Sequence, residues 1–86
     1  MDITKLKIPK DYVVERDAIY NGYQMVVRFP NGYSASLINH DYSYGLELAV
    51  LDSDNRITYD THITDDVIGH LTEDSALDLV TQISKL

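Results

Sequence analysis

Two carboxylates in the second half of the chain have the spacing that begins a calcium-binding loop. Asp52 and Asp54 would be its first and third residues, where carboxylate oxygens bind the ion. Arg56 stands where the fifth residue must supply an oxygen, and Ile57 stands where the sixth must be glycine. We therefore interpret residues 52–55 as a solvated turn and predict no calcium site.

The histidines His40, His62 and His70 do not have the spacing of a zinc site. No two of them lie four residues apart, as two ligands on one helical turn would, and the chain has no cysteine to complete a ligand set. We predict no metal site and no cofactor.

Adjacent acid pairs, Asp65-Asp66 and Glu73-Asp74, are the nearest approach to catalytic carboxylates. Each pair follows a threonine, Thr64 or Thr72, that can cap a helix, and acids are favourable in a first helical turn. The chain contains no glycine-rich phosphate loop and no G-x-S-x-G elbow. We predict no catalytic residue and no enzymatic activity.

Charge is distributed unevenly along the 86 residues. Residues 39–78 contain ten acidic groups and only Arg56, a net charge of −9, whereas residues 1–38 and 79–86 each sum to +1, giving −7 for the chain. Such a surface is repelled by phosphates, which argues against direct nucleic-acid binding. It suits a basic protein partner, and it also serves solubility alone.

The sequence F-P-N-G-Y (29–33) predicts a β-hairpin with a bulged turn. Pro30 and Asn31 fit the centre of a type I turn, and Gly32 fits the left-handed bulge position. In that register Phe29, Val27 and Met25 face Tyr33, Ala35 and Leu37, and with Tyr23 these side chains form one apolar face.

Flanking segments complete the predicted sheet. Asn21-Gly22 predicts a type I′ turn, after a less regular strand whose Tyr12, Val14, Ala18 and Tyr20 join the same face. Residues 46–51 predict a strand with Leu46, Leu48 and Val50 on one side, and residues 56–59 a short returning strand.

The C-terminal residues change to helical periodicity. We predict a short helical turn from Thr64 to Gly69, with His70 between two helices. A second helix is predicted after Thr72, with its apolar residues at helical spacing: Ala76, Leu77, Leu79, Val80, Ile83 and Leu86. The fold class is α+β: an antiparallel meander of four to five strands with the C-terminal helix packed on one face.

We predict one domain over residues 1–86, with residues 1–10 as a flexible or edge segment. No apolar stretch has the length of a signal peptide or a membrane span, so cytoplasm is the expected location.

Tyrosines in the predicted loop and acids on the predicted surface are the candidate partner contacts. Tyrosine provides a large contact area for little loss of conformational entropy. We predict partner binding through Tyr42, Tyr44, Glu47, Asp52 and Asp54. The other tyrosines are interpreted as strand residues.

The sheet face opposite the helix is predicted to be partly apolar. It would carry Val26, Ile38, Ala49 and Leu51 among polar side chains. Such a face is either a contact surface between copies, as in a homodimer, or an ordinary exposed surface.

Three stretches of the chain carry a family resemblance. They are F-P-N-G-Y-S-A-S-L-I, Y-S-Y-G-L-E-L-A-V-L and I-T-Y-D-T-H-I-T-D-D-V-I-G-H-L-T-E-D. Together they resemble small uncharacterised proteins encoded by tailed bacteriophages, over about residues 25–86. Family members read Y-D-T-P-I-T-D-D-V-I-G-x-L-T in the third stretch, where His62 replaces the proline here. The resemblance implies an accessory protein made in an infected bacterium, and it implies no catalytic residue.

Two hypotheses follow. In the first, the protein is a non-enzymatic phage protein that binds and inhibits or redirects a host protein, such as a defence or nucleic-acid-handling enzyme, in the host cytoplasm. In the second, it is a structural homo-oligomeric phage component, a minor virion or assembly protein.

Overall fold

Among the residues that the structure describes, a four-stranded antiparallel sheet and one C-terminal helix form the fold, which confirms the α+β class. The computed structural model describes residues 8, 12–58, 61, 63 and 67–86. Its elements are β1 (Val13–Ile19), β2 (Gly22–Arg28), β3 (Ser34–Asn39), β4 (Glu47–Leu51) and α1 (Glu73–Ser84). The strands lie in chain order, β1-β2-β3-β4, so each connection joins neighbouring strands.

The β2–β3 hairpin has the predicted bulged register. Val27 pairs with Ala35 and Met25 with Leu37. Phe29 N donates to Tyr33 O at 3.1 Å, and Gly32 adopts the left-handed φ of 90° that the bulge requires. The predicted apolar face is therefore formed.

The β1–β2 turn lies one residue earlier than predicted. Its central residues are Tyr20 and Asn21, with φ of 46° and 58°, and Ile19 pairs with Gly22. A Cβ on Gly22 would overlap the backbone of Asn39 and His40, so this glycine permits close approach of β2 to the end of β3. The pairing moves by two residues, so the two faces of β1 are as predicted. Two predicted members of the apolar face are nevertheless not buried in it: Tyr20 lies in the turn, and Ala18 is exposed.

Side chains from three strands and the helix form the core. Its buried members are Met25, Val27, Phe29, Ala35, Leu37, Leu46, Leu48, Val50, Ala76, Val80 and Ile83. β1 adds half-buried side chains at its margin, and Tyr12 packs edge-on against Phe29 with ring centroids 4.8 Å apart.

Two short extended segments cover the outer edge of β4. Ile57 forms an isolated bridge with Leu51 in place of the predicted returning strand, whose last residue, Tyr59, lies outside the described residues. Ile68 exchanges backbone hydrogen bonds of 2.8 and 2.9 Å with Leu48. Pairing of this kind satisfies the backbone groups of an edge strand.

The prediction of a helical turn ending at Gly69 is therefore wrong at Ile68, which is extended and pairs with Leu48. Its predicted start, Thr64 to Asp66, lies outside the described residues. Tertiary pairing with β4 decides the conformation here, because it supplies partners for the backbone that a single helical turn would leave unpaired. His70 consequently follows an extended segment, and it turns the chain toward α1 with φ of 53°.

The helix α1 begins with the predicted cap. Thr72 Oγ1 accepts from Ser75 N at 3.1 Å, and Ser75 Oγ accepts from Thr72 N at 3.0 Å. Burial of Val80 and Ile83 stabilises the fold by about 1.5–3 kcal/mol each, against about 1 kcal/mol for a cap, so packing on the sheet is the larger contribution.

The far end of α1 is tied to the β2–β3 turn. Asn31 Nδ2 donates to Ile83 O at 2.9 Å and to Leu86 O at 3.3 Å. The helix thus runs from the β3–β4 loop to the bulged turn, along the length of the sheet.

Candidate protein-binding surface

Aromatic side chains collect at the end of the sheet where the β1–β2 turn meets the β3–β4 loop. Tyr20 is 62% exposed, Tyr42 76% and Tyr44 72%, which are high values for large aromatic residues. We call these three tyrosines, together with His40 and His70, the aromatic end surface. Exposed tyrosines of this kind are typical of protein contact surfaces.

The rings of this surface contact one another edge-on or tilted. Ring centroids are 5.0 Å apart for Tyr20 and Tyr42, 5.2 Å for Tyr20 and His40, and 6.3 Å for His40 and Tyr42. Tyr44 and His70 form a second pair at 6.1 Å. Each ring restricts its neighbour, so less entropy is lost when a partner binds.

Hydrogen bonds order the loop that carries Tyr42 and Tyr44. Ser43 Oγ accepts from His40 N at 2.9 Å and lies 2.7 Å from Gly45 O. Asp41 N donates to Tyr20 O at 3.0 Å, and Tyr42 N donates to His40 Nδ1 at 3.1 Å. The loop is therefore bonded both internally and to the β1–β2 turn.

Glu47, a predicted contact, is instead part of the loop's support. It is only 9% exposed, and its Oε1 accepts from Tyr44 N at 2.6 Å. Its carboxylate positions Tyr44 and offers little surface to a partner.

The two predicted aspartates lie at the opposite end of β4 from the tyrosines. Asp52 is committed to its turn, because its Oδ1 accepts from Asp54 N and Arg56 N at 2.9 and 3.1 Å. Asp54 is exposed there. The structure thus brings Tyr42 and Tyr44 together and leaves both aspartates outside that group.

The described residues around the aromatic end surface include acidic side chains and no basic ones apart from the two histidines. The helix begins at this end, since Leu71 N donates to Leu46 O at 2.9 Å. Among the described residues here, 17–24, 38–47 and 68–76, there is no lysine or arginine, and the acids are Asp17, Asp41, Glu47, Glu73 and Asp74.

The face opposite the helix has a concavity of about 320 Å³. Its lining is mainly apolar: Ile19, Ile38, Ala49, Ile57 and Val67, with Gln24, Ser36, His40 and Glu47. Of the predicted oligomer face, Val26 and Ile38 are half-buried, while Ala49 and Leu51 are 8% and 9% exposed. The latter two already bury most of their area within the chain.

Metal-ligating and ionisable side chains outside the aromatic end surface are the remaining groups of interest. Within it, no group of three or more metal-ligating side chains converges. The pKa of Glu15 is lowered by its hydrogen bond with Arg28 and then by the Arg28 charge, but this pair is exposed, with Nε–Oε1 at 2.8 Å. No described helix is long and apolar enough to cross a bilayer.

Tyr20, His40 and His70 belong to the surface but were not among the predicted contacts. The turn position of Tyr20 could have been predicted from the sequence, since the residue before Asn-Gly can itself be one of the two central turn residues. His40 and His70 gave no local signal, because their ring contacts depend on how distant segments meet.

The comparisons with known proteins add no relative. No protein-family model, curated protein or solved structure matches the chain.

Proposed function

We propose that this chain is a non-enzymatic, phage-encoded protein that binds a host protein through the aromatic end surface and thereby inhibits or redirects it. The observation that carries the proposal is the group of three exposed tyrosines, held by a hydrogen-bonded loop at an end whose described residues, 17–24, 38–47 and 68–76, include no lysine or arginine. The phage setting and the host cytoplasm come from the sequence resemblance.

A partner with a basic surface fits this end. Acids around the tyrosines would steer such a partner electrostatically, and the rings would supply the buried contact area. A host enzyme that handles nucleic acid, such as a defence nuclease, has a basic groove of this kind. The mechanism is steric: the bound protein occupies the groove and excludes the phosphates.

The test compares three forms of the tagged full chain in lysate of a host bacterium: wild type, Tyr42→Ala/Tyr44→Ala, and Asp54→Asn as a matched surface control. We expect one host protein to be retained by wild type and by Asp54→Asn but not by the double variant. High salt should weaken its retention, because screening reduces the attraction between exposed charges. A protein retained equally by all three forms, or none retained at either salt concentration, would contradict the proposal.

The second candidate is a homo-oligomeric phage component joined through the open sheet face. The concavity and the half-exposed Ile57, at 46%, favour it. Light scattering distinguishes the two candidates, since a strict monomer at high concentration excludes this second one.

A further inference from the structure

An imidazole accepts a backbone hydrogen bond inside the aromatic end surface. Tyr42 N–H donates to His40 Nδ1 at 3.1 Å. A backbone amide can only donate, so Nδ1 is the acceptor of this bond, which requires that its lone pair be unprotonated. The same ring packs against Tyr20 and Tyr42, so its position bears on two of the three exposed tyrosines.

Protonation removes this acceptor. A charged imidazole has an N–H at both nitrogens, so the Tyr42 amide would face a second donor. Imidazole is also the side chain that ordinarily changes charge between roughly pH 5 and 8. We propose that protonation of His40 releases Tyr42 from its hydrogen bond and so weakens partner binding at mildly acidic pH; the binding part of this inference rests on the proposed function.

Three carboxylates belong to the segments that meet at His40. Asp41 follows it and accepts from Asn21 Nδ2 at 2.9 Å. Glu47 lines the same concavity as His40, and Asp17 pairs with Gln24, another residue of that lining. The phenol groups of Tyr20 and Tyr42 are titratable groups whose rings contact His40 directly. Because the three charged side chains named here are carboxylates, they would attract a charged imidazole.

The remaining loop bonds do not use the imidazole. Ser43 N donates to His40 O at 3.2 Å, and Ser43 Oγ accepts from His40 N. Tyr44 is held separately by Glu47. We therefore expect a local release of Tyr42 with the sheet and helix unchanged.

Nuclear magnetic resonance on the labelled full chain tests the switch without any partner. Between pH 8 and 5.5 the Tyr42 amide shift should follow the His40 ring signals with the same midpoint. Its protection factor against hydrogen exchange should fall by about tenfold, the factor for a hydrogen bond of typical net strength. In His40→Gln the Tyr42 amide should not titrate, and in His70→Gln, the matched control, it should titrate as in wild type.

A Tyr42 amide that stays unchanged while the His40 ring titrates would overturn the inference, as would one that still titrates in His40→Gln. The proposed function fails separately. If the switch is present but no host protein is retained through Tyr42 and Tyr44, only the binding proposal is lost. If a partner is retained equally at pH 8 and 5.5 by wild type, the regulatory consequence is wrong and the binding proposal stands.

Discussion

At the residue scale, the surroundings of individual atoms show why a glycine is needed at two places in the chain. Gly22 is a residue type common in turns, yet it lies in β2 against the backbone of Asn39 and His40. Gly32, by contrast, serves its turn through a positive φ, and a Cβ there would make only an ordinary contact with the Ser53 side chain at 3.8 Å. An added methyl group should therefore lower the free energy of unfolding by different amounts at the two glycines.

Replacement of Gly22 by alanine should reduce the free energy of unfolding by about 3 kcal/mol or more, because the new Cβ meets backbone atoms that cannot turn aside. Gly32→Ala should cost only about 1–2 kcal/mol, the strain of a left-handed residue. Urea unfolding of both variants measures the difference. An equal loss in the two would show that close approach does not govern the Gly22 position.

The exposed ion pair between Glu15 and Arg28 provides a test at acidic pH. The pKa of Glu15 lies below its usual value of 4.5, mainly through the hydrogen bond with Arg28. Its stabilising contribution is therefore complete above pH 4.5 and is lost as the pH falls through the lowered pKa. In Arg28→Gln the Glu15 pKa should return toward 4.5 in a carboxyl titration by nuclear magnetic resonance; an unchanged value would contradict the assigned cause.

At the scale of elements, α1 combines a local start signal with packing that only the sheet can supply. Its cap joins Thr72 and Ser75 reciprocally, and Ala76, Val80 and Ile83 are buried against the sheet. The short segment before it also had an apparent cap signal, but Ile68 pairs with β4 instead. A capping residue specifies a helix start where many apolar residues at helical spacing follow it. Where few such residues follow, backbone pairing with a strand is the more stable structure.

Loss of the Thr72 cap should reduce the free energy of unfolding by about 1 kcal/mol in Thr72→Ala. Thr81 is the matched control, since it lies exposed within the same helix and its hydroxyl donates to the backbone at Leu77 O rather than capping a helix end. Thr81→Ala should change stability by less than about 0.5 kcal/mol, because alanine has the higher helix propensity. Thermal unfolding followed by circular dichroism compares them, and equal losses would contradict a capping role for Thr72.

At the scale of the whole molecule, the sheet separates two acidic regions that are close in sequence. The acids of the first helical turn, Glu73 and Asp74, lie at the aromatic end, whereas Asp54 lies at the far end of β4. If the partner docks at the aromatic end, only the first group contributes to electrostatic steering.

Neutralisation of the helix acids in Glu73→Gln/Asp74→Asn should therefore slow association with the captured partner several-fold and reduce its salt dependence. Asp54→Asn should leave the association rate within about twofold of wild type. Surface plasmon resonance at two salt concentrations measures both rates. An Asp54 effect as large as that of the helix pair would place the contact elsewhere.

Features that depend on short-range geometry could be predicted from the residues alone. Alternating apolar residues and the F-P-N-G-Y turn specified the β2–β3 register, because a one-residue slip would expose Met25 and Val27. Helical spacing after Thr72 specified α1 and its buried face.

Which side chains share a surface could not be predicted, because it depends on contacts between segments that are distant in the sequence. The contacts of Tyr20 with His40 and Tyr42 join two turns about twenty residues apart, and β4 holds Asp52 and Asp54 a strand's length from them. The burial of Glu47 could not be predicted from the sequence for the same reason, since it depends on the loop whose Tyr44 N–H donates to its carboxylate. Periodicity reports which face of an element is apolar, but not which ends of different elements meet.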